Sequence, residues 1–280
     1  EIANLVEQYH RVAFPPKPFL GGISTIPVSG KVFDADELQH LVDSSLDFWL
    51  TTGRFAEQFE AEFAQVMGMK HALLCNSGSS ANLLALTALT SPRLNERALK
   101  DGDEVVINDL DFPSGTTPWM TESSKAVVKV WRSKNGELDL QDLAKLVTPK
   151  TKLVNISLVS FYNGLRLDVD EVSQIVRSNP GALLAVDVTQ ALGRIPFDVK
   201  KADLIISATH KWLLASHGGG LVGVSPERAD EWNVPAGGWF NLENAFDDTL
   251  FEKLVTKKGA ASFMVGMPNY PAIYAINAGL

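Results

Sequence analysis

Ala202-Asp203-Leu204-Ile205-Ile206-Ser207-Ala208-Thr209-His210-Lys211-Trp212 is the stretch that decides how the rest of the chain is read. Its apolar centre, Leu204 to Ile206, is what a strand buried on both faces requires, and it gives way to small hydroxylated residues and then to a histidine and a lysine. A lysine held among apolar neighbours at such a strand end has its amine pushed toward the neutral form that a Schiff-base nucleophile needs. A lysine after a strand is more often a solvated loop residue. Lys211 therefore takes its meaning from the company it keeps.

That company is found at other strand ends. Ala182-Leu183-Leu184-Ala185-Val186 is very apolar and runs straight into Asp187-Val188-Thr189-Gln190. A carboxylate ending a buried strand is costly to ionise unless a cation or strong hydrogen bonds face it, and a protonated ring nitrogen meets that need. An Asp capping the next turn is the plainer alternative. Upstream, Asp111-Phe112-Pro113-Ser114 follows a strand ending at Asn108, and Phe112 offers a flat face to an aromatic ligand or a side chain to the core. At Asn76-Ser77-Gly78-Ser79-Ser80-Ala81-Asn82 a strand meets a helix through small hydroxylated residues. Free N–H groups and the positive helix end make an anion site there, with an ordinary Ser N-cap the equal alternative. Neither a Walker loop nor a Gly-x-Gly-x-x-Gly fingerprint is present.

From about residue 70 short apolar runs alternate with helical segments, the mark of a mostly parallel sheet wrapped on both faces. Strands are predicted over Ala72 to Cys75, Glu104 to Asn108, Ala126 to Trp131, Lys152 to Ser157, Leu183 to Asp187, Asp203 to Ser207 and Gly220 to Val224. Helices are predicted over Ala81 to Leu89, Leu138 to Val147 and Val169 to Arg177. The fold class is α/β, a doubly wound, mostly parallel seven-stranded sheet, with ligands expected beyond the carboxyl ends of the strands. Before it, Leu38, Leu41, Val42, Leu46 and Trp49, then Phe55, Phe59 and Phe63, predict two amphipathic helices broken at Thr52-Gly53. Residues 1–30, with Pro15, Pro16, Pro18, Pro27, Gly21 and Gly22, read as an arm too punctuated for a regular element.

An anion loop, a buried carboxylate, a Schiff-base lysine and a stacking ring are what pyridoxal 5'-phosphate requires: a phosphate grip, a partner for the pyridine nitrogen, a covalent tether and a cover for the ring. Here the chain resembles pyridoxal-phosphate enzymes of the aspartate-aminotransferase fold, type I. From about residue 109 to 280 it is similar to class V aminotransferases, the group that holds cysteine desulfurases and kynureninase, through Ala202 to Lys211 and the later Gly218-Gly219-Gly220-Leu221-Val222. The resemblance implies that Lys211 carries the cofactor, His210 flanks it, Asp187 pairs with the pyridine nitrogen and Gln190 approaches the ring hydroxyl. It also implies that Phe112 covers the ring, while the turn's own chemistry leads to the expectation that Gly78, Ser79 and Ser80, with Thr209, serve the phosphate.

Phe112-Pro113-Ser114 is similar to a kynureninase segment, with Gly115 where that segment has Asp. Gly237-Gly238-Trp239 resembles an aromatic segment that reaches a neighbouring subunit. From about residue 31 to 105 the likeness is to sugar aminotransferases and nucleotide-hexulose 3-dehydrases, through Leu50-Thr51-Thr52-Gly53-Arg54, Phe59-Glu60, His71-Ala72-Leu73, the Ser-rich turn and Gly102-Asp103-Glu104-Val105. The CDP-4-keto-6-deoxyglucose 3-dehydrase type has His where Lys211 stands, and the single Cys75 cannot hold that enzyme's iron-sulfur cluster. By resemblance, residues 31–265 form the cofactor-binding large domain and 266–280 begin a small C-terminal domain that is mostly absent. A homodimer acting on a small amino donor and acceptor is expected, with a sugar-nucleotide substrate, or a non-catalytic chain retaining only the fold, as alternatives.

Composition narrows the field. Thirty-three acids against 25 Lys and Arg give a net charge of -8 over 280 residues, the wrong balance for nucleic acid. One cysteine allows no internal bridge, no leader opens the chain and no apolar run spans a membrane, so the expectation is a cytoplasmic protein. His217-Gly218-Gly219-Gly220 is similar to a lipase oxyanion segment, but no Gly-x-Ser-x-Gly accompanies it. His10, His40, His71, His210 and His217 show no metal-ligand spacing. Cys75, placed in a strand, is expected to be a small buried hydrophobe rather than a desulfurase nucleophile.

Overall fold

The computed structural model describes residues 1–25, 33–47, 53–120, 126–214, 218–226, 229, 232, 234, 240–248, 252–265 and 273. Seven strands, β1 (His71–Cys75), β2 (Glu104–Asn108), β3 (Val127–Trp131), β4 (Thr151–Ser157), β5 (Leu183–Asp187), β6 (Leu204–Ala208) and β7 (Gly220–Val224), form one sheet. Their order is β1-β7-β6-β5-β4-β2-β3. Only β7 is reversed, being antiparallel to both β1 and β6, so the other six strands share one direction. Every residue of β5 and β7 is buried, which is why both read as continuous apolar runs without alternation.

Two hydrophobic layers flank the sheet. On one face Phe55, Phe59 and Phe63 of α3 (Arg54–Met67), Leu143 of α6 (Leu140–Leu146) and Val169, Val172 and Val176 of α7 (Val169–Val176) pack with Val154, Ile156, Leu184 and Val186. On the other, Ala81, Ala85, Ala88 and Leu89 of α4 (Gly78–Leu89) and Trp119 of α5 (Pro113–Met120) pack with Ile107, Leu183, Ala185 and Ile206. The steps of four among the three phenylalanines put them on one stripe of α3. Gly53 caps that helix in extended conformation and Gly68 closes it at φ 64.

Three differences from the sequence reading have physical causes. The amino-terminal segment contains a helix, α1 (Ile2–Ala13), where a structureless arm was expected. The prolines and glycines of this segment all lie beyond Ala13, so nothing breaks the helix before Phe14. It packs on α2 (Ala35–Asp47), with Gln39 Nε2 donating to the carbonyl of Ala3 at 3.2 Å. Helix α5 was not predicted, because its Pro-Ser-Gly-Thr-Thr-Pro sequence lacks apolar periodicity. Pro113 suits the first turn, where its missing N–H costs no bond. Helix α4 begins three residues early, at Gly78, because Ser77 Oγ accepts from the N–H of Ser80 at 3.1 Å. Trp49, His217, Gly237-Gly238-Trp239 and, apart from Ile273, the range 266–280 lie outside the described residues.

Candidate active site

Cys75, Asn108, Ser157, Asp187 and Ala208 close five strands that run the same way, so all five carry the chain to one edge of the sheet. The winding reverses between β2 and β4, where a crevice is expected. A cavity of about 180 Å³ opens at this edge. Gly78, Phe112, Asp187, Gln190, His210 and Lys211 line it, as do Ser77, Asn82, Ser114, Ser157, Phe161 and Thr189.

At the α4 end, close packing brings backbone to the cavity. A Cβ on Gly78 would lie 2.8 Å from Cβ of Ala208, and one on Gly220 only 2.1 Å from the carbonyl oxygen of Ser77. Only glycine permits these approaches. Ser77, part of the Ser-rich turn but not singled out in the sequence, caps the helix and lines the cavity, while its hydroxyl also donates to that of Ser80 at 3.1 Å. Asn82 Nδ2 reaches back to the carbonyl of Gly78 at 3.1 Å. Thr209 is fully buried, its hydroxyl donating to the carbonyl of Gly219 at 3.1 Å, so its side chain braces the β6–β7 connection behind the cavity. The side chain of Ser79 lies outside what is described.

Asp187 lines the cavity, and a second buried carboxyl, Asp111, lies near it. Asp187 is buried, and burial pushes its carboxyl up from the ordinary range against the opposing hydrogen bonds of Thr189. Its Oδ1 accepts the Thr189 N–H at 2.8 Å, while Thr189 Oγ1 accepts from the N–H of Ala208 at 3.0 Å, tying β5 to β6. Ser157, the register partner of Asp187 on β4, donates its N–H to Asp111 Oδ1 at 2.9 Å. Burial pushes the Asp111 carboxyl up to about 7, the nearby charge of Asp187 adds to it, and among the described residues the buried Oδ2 meets no hydrogen-bond partner. Asp111 was passed over in the sequence except as part of the Phe112 segment. Its signal was a charged residue between Leu110 and Phe112 just past a buried strand.

Lys211 is exposed on the turn after β6 and faces the cavity, which differs from the expectation of a lysine enclosed by apolar side chains. The apolar strand stops at Ala208, and the three residues that follow carry the lysine past the packed layer. Phe112 is 47% exposed, meeting Phe161 edge to face at 5.1 Å between centroids. Asn155 Nδ2 donates to the carbonyl of Gly115 at 3.2 Å, and a Cβ there would come within 3.2 Å of the same nitrogen. Gly115 thus lets the start of α5, and Phe112 before it, lie close on β4.

The sequence profile described as Aminotransferase class-V matches residues 44–280. The chain belongs to the class-V aminotransferase family. As a member, it is similar to the lipopolysaccharide biosynthesis protein RfbH of Salmonella typhimurium, 42% identical over 69% of this chain and 43% of that protein. It is also similar to the dTDP-4-dehydro-2,6-dideoxy-D-glucose 3-dehydratase of Saccharopolyspora spinosa, 45% identical over 40% of this chain and 24% of that one. A cysteine desulfurase structure from Thermococcus onnurineus shares the fold, with TM-score 0.74 and 22% identity over 89% of this chain and 64% of that one. The chain spans less than half the length of these two curated relatives.

Pyridoxal phosphate is the cofactor of this family, and the residues present fit it. A buried carboxyl that resists ionisation alone, aimed into a cavity, is matched by a ring that brings a cationic N–H. Phe112, Lys211 and Gly78 at the α4 terminus line the same cavity, where they would offer the ring a face, the cofactor an amine and a phosphate a backbone approach. Among the described residues no group of three or more His, Cys, Asp or Glu is placed to hold a metal ion, and no helix is long and apolar enough to cross a membrane.

Proposed function

We propose that this chain is the cofactor-binding body of a pyridoxal-phosphate-dependent transferase that moves an amino group between small molecules. The observation that carries the reading is that buried Asp187 and Lys211 line one cavity together with half-exposed Phe112. When bound, the cofactor supplies an electron sink for a carbanion beside the substrate nitrogen. Asp187 holds the ring N–H and keeps it charged. Lys211 would hold the cofactor through Nζ, the atom that would also hold and move a proton. Gln190 would hydrogen-bond the ring hydroxyl, His210 would flank the ring, and Gly78, Ser79 and Ser80 would hold the phosphate with Ser77. Thr209, pointed into the Gly219 turn, serves that grip through the backbone it holds.

A sugar-nucleotide substrate is the second reading. The two relatives named above by printed sugar or lipopolysaccharide roles, at 42% and 45% identity, favour it. A screen of amino acid donors with keto acid or keto-sugar nucleotide acceptors separates the two. Amino transfer to a keto acid alone supports the small-amino-compound reading, transfer to or dehydration of the sugar supports the second, and turnover of neither overturns both. A cytoplasmic homodimer belongs to the same proposal. The single cysteine and the exposed aromatic side chains Phe161, Tyr162 and Trp212 near the cavity support it.

A further inference from the structure

Trp212 directly follows Lys211, and its indole N–H donates to Oε1 of Gln190 at 2.9 Å. An indole nitrogen only donates, so the amide oxygen of Gln190 is the atom that must face it. The amide nitrogen, with both its N–H groups, is turned away from Trp212, and Gln190 lines the cavity. The two turns that carry these residues interlock. Gly193 sits at φ 80, and a Cβ there would lie 2.4 Å from the carbonyl oxygen of Trp212. The guanidinium of Arg194 lies 5.5 Å from the Trp212 ring centroid, within cation–π range. Trp212 is nevertheless 44% exposed, so core packing does not account for its placement.

We propose that Trp212 is a positioning residue: it fixes the amide of Gln190 so that its N–H donors point into the cavity, selecting a ligand with an acceptor oxygen there. The proposal rests on the cofactor reading above, in which that oxygen is the ring hydroxyl of pyridoxal phosphate. A donor on this oxygen favours its ionised form, so losing the donor's aim raises the pH at which the bound chromophore titrates. Among the described residues, the charged or titratable groups on the same cavity are Asp187, His210 and Lys211, and Arg194 lies against the indole.

Trp212→Phe keeps a ring beside Arg194 and removes only the donor. In the cofactor-loaded protein we expect the midpoint of the visible band to rise by about 0.5 to 1 unit and the dissociation constant to weaken about 2- to 10-fold. In a Gln190→Ala background the same change should add nothing. An unmoved midpoint, or an equal shift without Gln190, would overturn the proposal. The apoprotein gives a reading independent of the cofactor. Among six indole N–H signals, that of Trp212, assigned by its loss in Trp212→Phe, should exchange about 5-fold faster in Gln190→Ala. Equal exchange would also overturn it. If the wild type shows no visible band, the cofactor reading fails, and the exchange result alone then decides whether Trp212 orients Gln190.

Discussion

At the scale of single residues, Asp187 and Cys75 both end strands and burial pushes both toward the protonated form, with different consequences for function. Asp187 faces a cavity, so its raised carboxyl is a demand for a cationic partner. Asp187→Asn should lower turnover by about 100- to 1,000-fold, the scale of removing one member of a buried charge pair, while bound cofactor stays visible by absorbance. Unchanged turnover would remove Asp187 from the ring-nitrogen role. The Cys75 thiol is pushed up to about 12 by burial and donates to the carbonyl of Ser77 at 3.3 Å. Since the thiolate is the reactive form, Cys75 should react with a disulfide reagent at pH 8 only on unfolding. Prompt labelling of the native protein would contradict that.

At the scale of elements, the edge strand β1 shows how local chemistry secures the sheet. Its outward Leu74 N–H is taken by Glu60 Oε1 of α3 at 3.0 Å. Burial raises the Glu60 carboxyl from 4.5 to about 7, offset in part by that hydrogen bond. Its folded value lies above its unfolded one, so the stabilisation is full below about pH 4.5 and is lost as pH rises through 7. Glu60→Gln keeps the acceptor and should flatten the apoprotein's thermal-unfolding profile between those limits, by on the order of 1 to 3 kcal/mol at pH 7. An unchanged pH slope would contradict the assignment.

The elements legible in the sequence were those with a burial pattern of their own: the unbroken apolar runs of β5 and β6, and the Phe55, Phe59, Phe63 stripe. Helices α1 and α5 were hidden, the first by prolines that lie beyond it and the second by a sequence whose fit depends on Gly115 meeting Asn155. The site divided along the same line. Asp187, Phe112 and Lys211 announced themselves at strand ends, whereas Phe161 and the Trp212–Gln190 bond arise from contacts between separate turns that no local pattern encodes.

At the scale of the molecule, five of the six co-directional strands carry the cavity residues to one edge while the two apolar layers hold the sheet behind it. A ligand that joins residues from several of these strands should stabilise all of them together. Pyridoxal phosphate at about 100 times its dissociation constant should add about 2.7 kcal/mol and raise the unfolding midpoint by about 5 °C or more, read by differential scanning fluorimetry. No shift would mean that the strand ends do not form one site. The most direct test of the central claim is borohydride reduction of the protein with pyridoxal phosphate, followed by peptide mapping and repeated with Lys211→Ala. A visible band that reduction fixes covalently on the peptide carrying Lys211, and that the variant lacks, is the expected result; label on another lysine, or an identical band in Lys211→Ala, would remove Lys211 from this role.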